Sequence, residues 1–138
     1  MKKKKTKTTG KLKKDAWDLL SKIVRREHAD EYGICDCVSC GDRYYWKDIQ
    51  AGHFVDGRHG AILFDERGIF PQCVKCNLFL KGNKIPYTIF MLGTYGKPLV
   101  DELLSLGKGA GPVRKWTRIE LMELIETYKK RLDSLAPT

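Results

Sequence analysis

Two short stretches, Cys37-Val38-Ser39-Cys40-Gly41 and Cys73-Val74-Lys75-Cys76-Asn77, decide how this chain folds. Each is a Cys-x-x-Cys knuckle, a spacing that lets two thiolates reach one ion from a single tight turn. Thirty-two residues, 41 to 72, separate the knuckles, enough for an inserted hairpin. Together they predict a four-thiolate structural zinc site. Such a site has no open coordination position, so Zn²⁺ would support the fold and any chemistry must come from other residues. Gly41 fits a knuckle because a residue without Cβ lets backbone N–H groups approach the sulphurs. Cys35, at the wrong spacing from Cys40, is read as a free thiol. Two disulfides would suit a secreted chain, and a redox Cys-x-x-Cys normally stands alone.

The chain has 138 residues, room for one domain and one modest core. At 42% hydrophobic and 31% charged residues it has the composition of a globular protein, and no run approaches the roughly 20 apolar residues of a membrane span. Met1 is followed by lysines rather than by an apolar stretch and a cleavage site, so the expectation is an intracellular protein without membrane attachment. The net charge of +9 is unevenly placed. Residues 1–14 hold eight lysines, among them Lys2, Lys3, Lys4 and Lys5, and no acid; removing those eight from the 26 basic residues leaves 18 against 17 acidic ones. The sequence therefore predicts a disordered lysine-rich arm over 1–14 and a single zinc-containing domain over 15–138. A polycationic arm can replace the counterions along a phosphate backbone; the plainer reading is a solvated solubility tail.

Apolar residues at helical spacing (Trp17, Leu19, Leu20, Ile23, Val24) predict a helix from 15 to about 32, ended by Gly33 in a left-handed conformation. Residues 34 to 74, including the apolar run 61 to 64, read as short strands and loops. Helices follow from Pro86 toward Tyr95 and from Pro98 to near Gly107. The glycine-rich stretch 107 to 112 is a linker rather than a phosphate loop, since no strand precedes it. Thr117 and Glu120 form a capping box before a closing helix of about five turns. The fold class is α+β: a small zinc-stabilised core flanked by N- and C-terminal helices.

His53 lies between the knuckles and Asn77 directly follows the second, so the zinc would bring them side by side. With Cys37-Val38-Ser39-Cys40-Gly41, Ala51-Gly52-His53-Phe54, Phe64-Asp65-Glu66-Arg67, Gln72 to Asn77, Gly82-Asn83, Pro86-Tyr87, Tyr95-Gly96 and Trp116-Thr117, residues 34 to 132 resemble the NinG (Rap) recombination endonucleases of lambdoid phages. The resemblance implies a ββα-metal nuclease core of the HNH kind, in which His53 is the general base and Asn77 holds a catalytic Mg²⁺ or Mn²⁺. It also implies a carboxylate ligand, for which Asp65 and Glu66, in the shared stretch, are favoured over Asp48 and Asp56. Arg58 or Arg67 would present a fork of donors to the phosphate. The implied substrate is branched DNA (Holliday junction, D-loop or flap) in the host cytoplasm. The chain departs from the pattern at Gly52, where many HNH enzymes carry an acid. It departs again at Gly68, where the family commonly has Asn and a left-handed turn is expected, and at Phe70 and Phe79. The alternative readings are a zinc-stabilised DNA-binding module without catalysis, favoured by Gly52 and Gly68, and a zinc adaptor for protein partners. Symmetric cutting of a junction needs two active sites, which a homodimer joined through the end helices would supply; the same apolar stripes suit a core equally well.

Overall fold

A computed structural model describes residues 5–56, 60–109 and 114–136. Lys2, Lys3, Lys4 and Arg58 lie outside the described residues, as does the linker beyond Gly109. Helix α1 (Thr9–Glu27) opens on Thr8, whose side chain accepts from the Lys11 N–H at 3.1 Å. Its lysines pair with acids one turn on, Lys11 with Asp15 at 2.8 Å and Lys14 with Asp18 at 2.7 Å, and Leu12 is buried. The expected disordered arm to residue 14 is therefore corrected: from Thr9 onward the lysine-rich stretch is helix. The helix also ends earlier than expected, at Glu27. Gly33 is left-handed (φ 80°), but it closes a separate turn, donating its N–H to Asp30 O at 2.9 Å, while the Asp30 carboxylate accepts from the Tyr32 and Ile34 N–H groups.

Two antiparallel ribbons follow. Strand β1 (Ile34–Asp36) pairs with β2 (Arg43–Tyr45), the first knuckle forming the loop between them. Strand β3 (Gln50–His53) pairs with β4 (Ile69–Gln72) in a register that sets Gly52 opposite Phe70 and His53 opposite Ile69. Between β3 and β4 lie a single helical turn, α2 (Gly60–Leu63), where a strand was expected, and a 3₁₀ turn (Glu66–Gly68). Gly68 is not among the left-handed residues, so the 3₁₀ turn forms there without the expected left-handed backbone; the space beside it is bounded by Leu103 and Phe54. A turn of π-helix (Lys75–Phe79) leads to α3 (Lys84–Tyr95), α4 (Lys97–Gly107) and α5 (Arg118–Ser134). The Thr117–Glu120 capping box is complete, with both reciprocal bonds formed.

The apolar stripe of α1 packs on the β3–β4 ribbon and on α5: Ala16, Leu20, Ile23 and Val24 meet Ala51, Ile69 and Tyr128. That stripe is core rather than a free dimer face. The two end helices run parallel, since Arg118 donates to Lys7 O at one end and Arg26 donates to Ala136 O (2.6 Å) at the other. Arg131 of α5 binds Glu27 of α1 (3.0 Å) and Glu66 of the 3₁₀ turn (2.9 Å), tying three elements together. On the other side of the ribbon, Phe54, Phe70, Tyr87, Met91, Val100 and Leu103 form a second core with α3 and α4. Truncating the fully buried Leu20 to Ala should lower stability by about 2–5 kcal/mol in urea unfolding. Ile119→Ala, at a side chain 69% exposed, should stay within about 0.5 kcal/mol of wild type.

Candidate metal centre and adjoining cleft

The first knuckle hangs between β1 and β2, and the second begins where β4 ends. The Sγ atoms of Cys37, Cys40, Cys73 and Cys76 consequently lie within 4.8 Å of one another, the only such grouping among the described residues. With Zn–S near 2.3 Å, a tetrahedral zinc needs sulphurs about 3.8 Å apart; Cys40 Sγ and Cys73 Sγ are 3.8 Å apart. Backbone N–H groups of Cys40 and Cys73 point at Cys37 Sγ (3.5 and 3.4 Å), and that of Cys76 points at Cys73 Sγ (3.4 Å). Burial acts to raise the Cys37 thiol, yet the N–H donors of Cys73, Cys40 and Ser39 prevail and hold it down at about 7. The Asn83 side-chain amide donates to Cys76 Sγ at 3.4 Å. The backbone donors favour a thiolate at Cys37, the form a zinc ligand requires, whereas burial pushes Cys40 up to about 12 and raises Cys76. Gly41 contributes differently than expected: its left-handed φ of 78° closes the knuckle, and its N–H goes to Cys37 O rather than to a sulphur. Cys35 stands outside the cluster, its thiol donating to Arg25 O at 3.0 Å and pushed up to about 11 by burial.

Beside this centre opens a cleft of about 640 Å³ whose walls include Trp17, Arg25, Gln50, His53, Asp56 and Asn77. His53, at the end of β3, shares a 3.0 Å hydrogen bond between Nε2 and Leu63 O, and its ring stacks on Trp17 with centroids 4.5 Å apart. A carbonyl only accepts, so Nε2 is the nitrogen that donates in this bond. Asn77 donates to Gln50 Oε1 at 2.8 Å, which leaves its own Oδ1 as an oxygen ligand for a hard cation. Sequence reasoning thus brings His53 and Asn77 to the same cleft.

The carboxylates fall otherwise. Asp65 caps the 3₁₀ turn and binds Arg67 (2.6 Å), which also reaches Glu102 (3.2 Å); Glu66 binds Arg131. Neither Asp65 nor Glu66 lines this cleft, although Asp65 borders a small cavity together with His53, and Arg67 is held by acids. The acid that does line it is Asp56, with an 82% exposed side chain 3.1 Å from Lys84. Arg25, which the sequence did not single out, donates to the carbonyls of Ser21, Trp46 and Ile49 and, among the described residues, to no carboxylate. It brings a positive charge to the wall, although burial lowers its pKa. Its one sequence signal is a basic residue on the α1 face that also carries Trp17 and Ser21.

Gly52 has a steric cause. A Cβ there would stand 2.1 Å from Gln72 Oε1 and 3.0 Å from Gln72 Cβ. Gln72 cannot step aside, because it is fully buried and its Nε2 donates to Ser39 Oγ (2.9 Å) and Gly82 O (2.6 Å). An acid immediately before the histidine is excluded by that packing.

The fold and its four-thiolate centre define a small α+β protein built around a zinc-type knuckle pair. The family model described as "Bacteriophage Lambda NinG protein" matches residues 1–137. The chain is 30% identical to protein ninG of Salmonella phage P22 over 125 residues, 88% of this chain and 56% of that protein. To protein ninG of Escherichia phage lambda it is 29% identical over 125 residues, again 88% of this chain and 56% of the relative. This chain belongs to the NinG family of phage proteins, and it spans about half the length of the curated relatives it matches. No solved structure matches it. Among the described residues, no helix is long and apolar enough to cross a membrane.

Purified protein should carry one zinc per chain by metal analysis, and Cys76→Ser should abolish zinc retention and cooperative unfolding together. Gly52→Ala should cost about 1–3 kcal/mol through overpacking against Gln72. In a double-mutant cycle with Gln72→Ala, most of that cost should vanish.

Proposed function

We propose that this chain is a metal-dependent DNA endonuclease that hydrolyses phosphodiester bonds in branched recombination intermediates. The observation that carries this reading is the convergence of His53 and Asn77, 24 residues apart, on one cationic cleft beside the thiolate centre. His53, oriented by Leu63 O and by the Trp17 ring, takes the proton of the attacking water, the general-base role that an imidazole can fill. Asn77 and Asp56, both on the cleft wall, would supply oxygen donors to Mg²⁺ or Mn²⁺. When bound, such a cation neutralises charge on the phosphate and the leaving oxygen. Arg25 binds the phosphate in place of Arg67, whose guanidinium is paired with Asp65 and Glu102.

A non-catalytic DNA-binding module is the second reading, favoured by the engagement of Asp65 and Glu66 with arginines. Nicking assays on linear, flapped and four-way DNA, with Mg²⁺, with Mn²⁺ and without added metal, separate the two. His53→Ala should cut the rate by about 100-fold or more while zinc content and DNA affinity stay near wild type. A mutant that nicks as fast as wild type would refute the assigned base. Removing residues 1–7, ahead of the Thr8 cap, should flatten the slope of log affinity against log salt without unfolding α1. An unchanged slope would leave those lysines a solubility tail.

A further inference from the structure

Directly after Asn77, three apolar side chains face solvent: Leu78, Phe79 and Leu80 are 58%, 78% and 46% exposed. Their backbone is held in place. The Leu80 N–H bonds Lys75 O and the Gly82 N–H bonds Cys76 O, each at 2.8 Å. The chain then passes through three successive left-handed residues, Lys81, Gly82 and Asn83. Gln72 grips Gly82 O (2.6 Å), Ser39 donates to Asn83 O (3.2 Å), and Asn83 bonds Cys76 Sγ. A tight turn stiffened by the metal knuckle thus holds an aromatic ring outward at the lip of the cleft, where Leu78 and Gly82 form part of the wall.

The charge around this turn identifies its occupant. From Ile69 to Val100 the sequence contains no Asp or Glu, but it has Lys75, Lys81, Lys84 and Lys97. Lys75 and Lys81 are exposed and make no ion pair among the described residues. An apolar platform flanked along the chain by the exposed Lys75 and Lys81, while Lys84 and Lys97 are paired with Asp56 and Asp101, suits a polyanion that also presents flat apolar faces, which is the chemistry of a nucleic-acid strand with its bases out of the stack. The outer face of α3 (Ile85, Ile89, Leu92) is also apolar and exposed, but it carries no cation and lines no cleft, so nothing there points to a ligand.

We propose that Phe79, flanked by Leu78 and Leu80, is a base-stacking platform that receives an unpaired or splayed nucleobase beside the cleft. The chain would thereby select DNA whose bases are already unstacked, as at a branch point. This deepens the proposed activity and rests on the reading that DNA enters the cleft. The test measures binding of the zinc-loaded full chain, without added divalent ion, to four-way, flapped and linear duplex DNA of common sequence. 2-Aminopurine at the branch point reports stacking. Phe79→Ala should lose about tenfold affinity for branched DNA, change less than twofold on linear duplex, and abolish the 2-aminopurine response. Phe79→Trp should retain both. Equal weakening on all DNAs, or no weakening, overturns the platform. So does conversion of a dimer to a monomer by Phe79→Ala with branch preference retained, which would make the segment a self-association face. Wild type showing the Phe79-dependent preference yet nicking no DNA with Mg²⁺ or Mn²⁺ overturns the nuclease reading and leaves the platform standing. Nicking and binding that are both untouched by Phe79→Ala do the reverse.

Discussion

Everything in this structure depends on four sulphur atoms being held within 4.8 Å of one another. The strands have three or four residues each, and they form two separate two-stranded ribbons. Ribbons of that size do not persist alone in water. The knuckles join them, since Cys37 and Cys40 lie in the loop of one and Cys73 sits at the end of the other. A shared ion would convert two marginal hairpins into one rigid body, and the third cluster of buried side chains (Cys35, Trp46, Ile49 with Cys37, Cys73 and Cys76) packs around the sulphurs. The positions of His53 and Asn77 follow: one is fixed by the register of β3 on β4, the other by the turn that carries Cys76.

Gln72 shows how closely packing and chemistry are coupled here. Its side chain fills the space that any residue larger than glycine would need at position 52, and its amide anchors the strained turn at Gly82. The same residue therefore rules out an acid before His53 and stabilises the lip of the cleft. Asp65 and Glu66 meanwhile serve as struts, joined to Arg67 and Arg131, and leave Asp56 as the carboxylate on the cleft wall.

Features encoded within one or two turns of chain could be read from the sequence. The knuckles, the Thr117–Glu120 capping box, the break at Gly82 and Asn83 and the Pro98 helix start all depend on neighbours a few residues away. The beginning of α1 was hidden because a lysine run carries no apolar period; its stabilisers are pairs with Asp15 and Asp18 and the burial of a single leucine, Leu12. Gly33 marked a left-handed position, but the Asp30 side chain moved that position out of the helix and into a turn of its own. The fates of Asp65, Glu66 and Asp56 were not legible, because Glu66 answers to an arginine 65 residues away. The Trp17–His53 stack likewise joins residues 36 positions apart.

The parallel pairing of α1 with α5 bears on the order in which the molecule is completed. Parallel neighbours cannot be joined by a short turn, and here residues 28 to 117 form the connection between them. During synthesis the apolar stripe of α1 emerges before the β3–β4 ribbon that partly covers it, and it meets Tyr128 only when α5 has been made. Contacts so distant along the chain form slowly, because the intervening segment must be ordered before they can close. Helix α1 thus stays partly unsheltered until α5 has been made, and a chain stalled before α5 would display its stickiest surface.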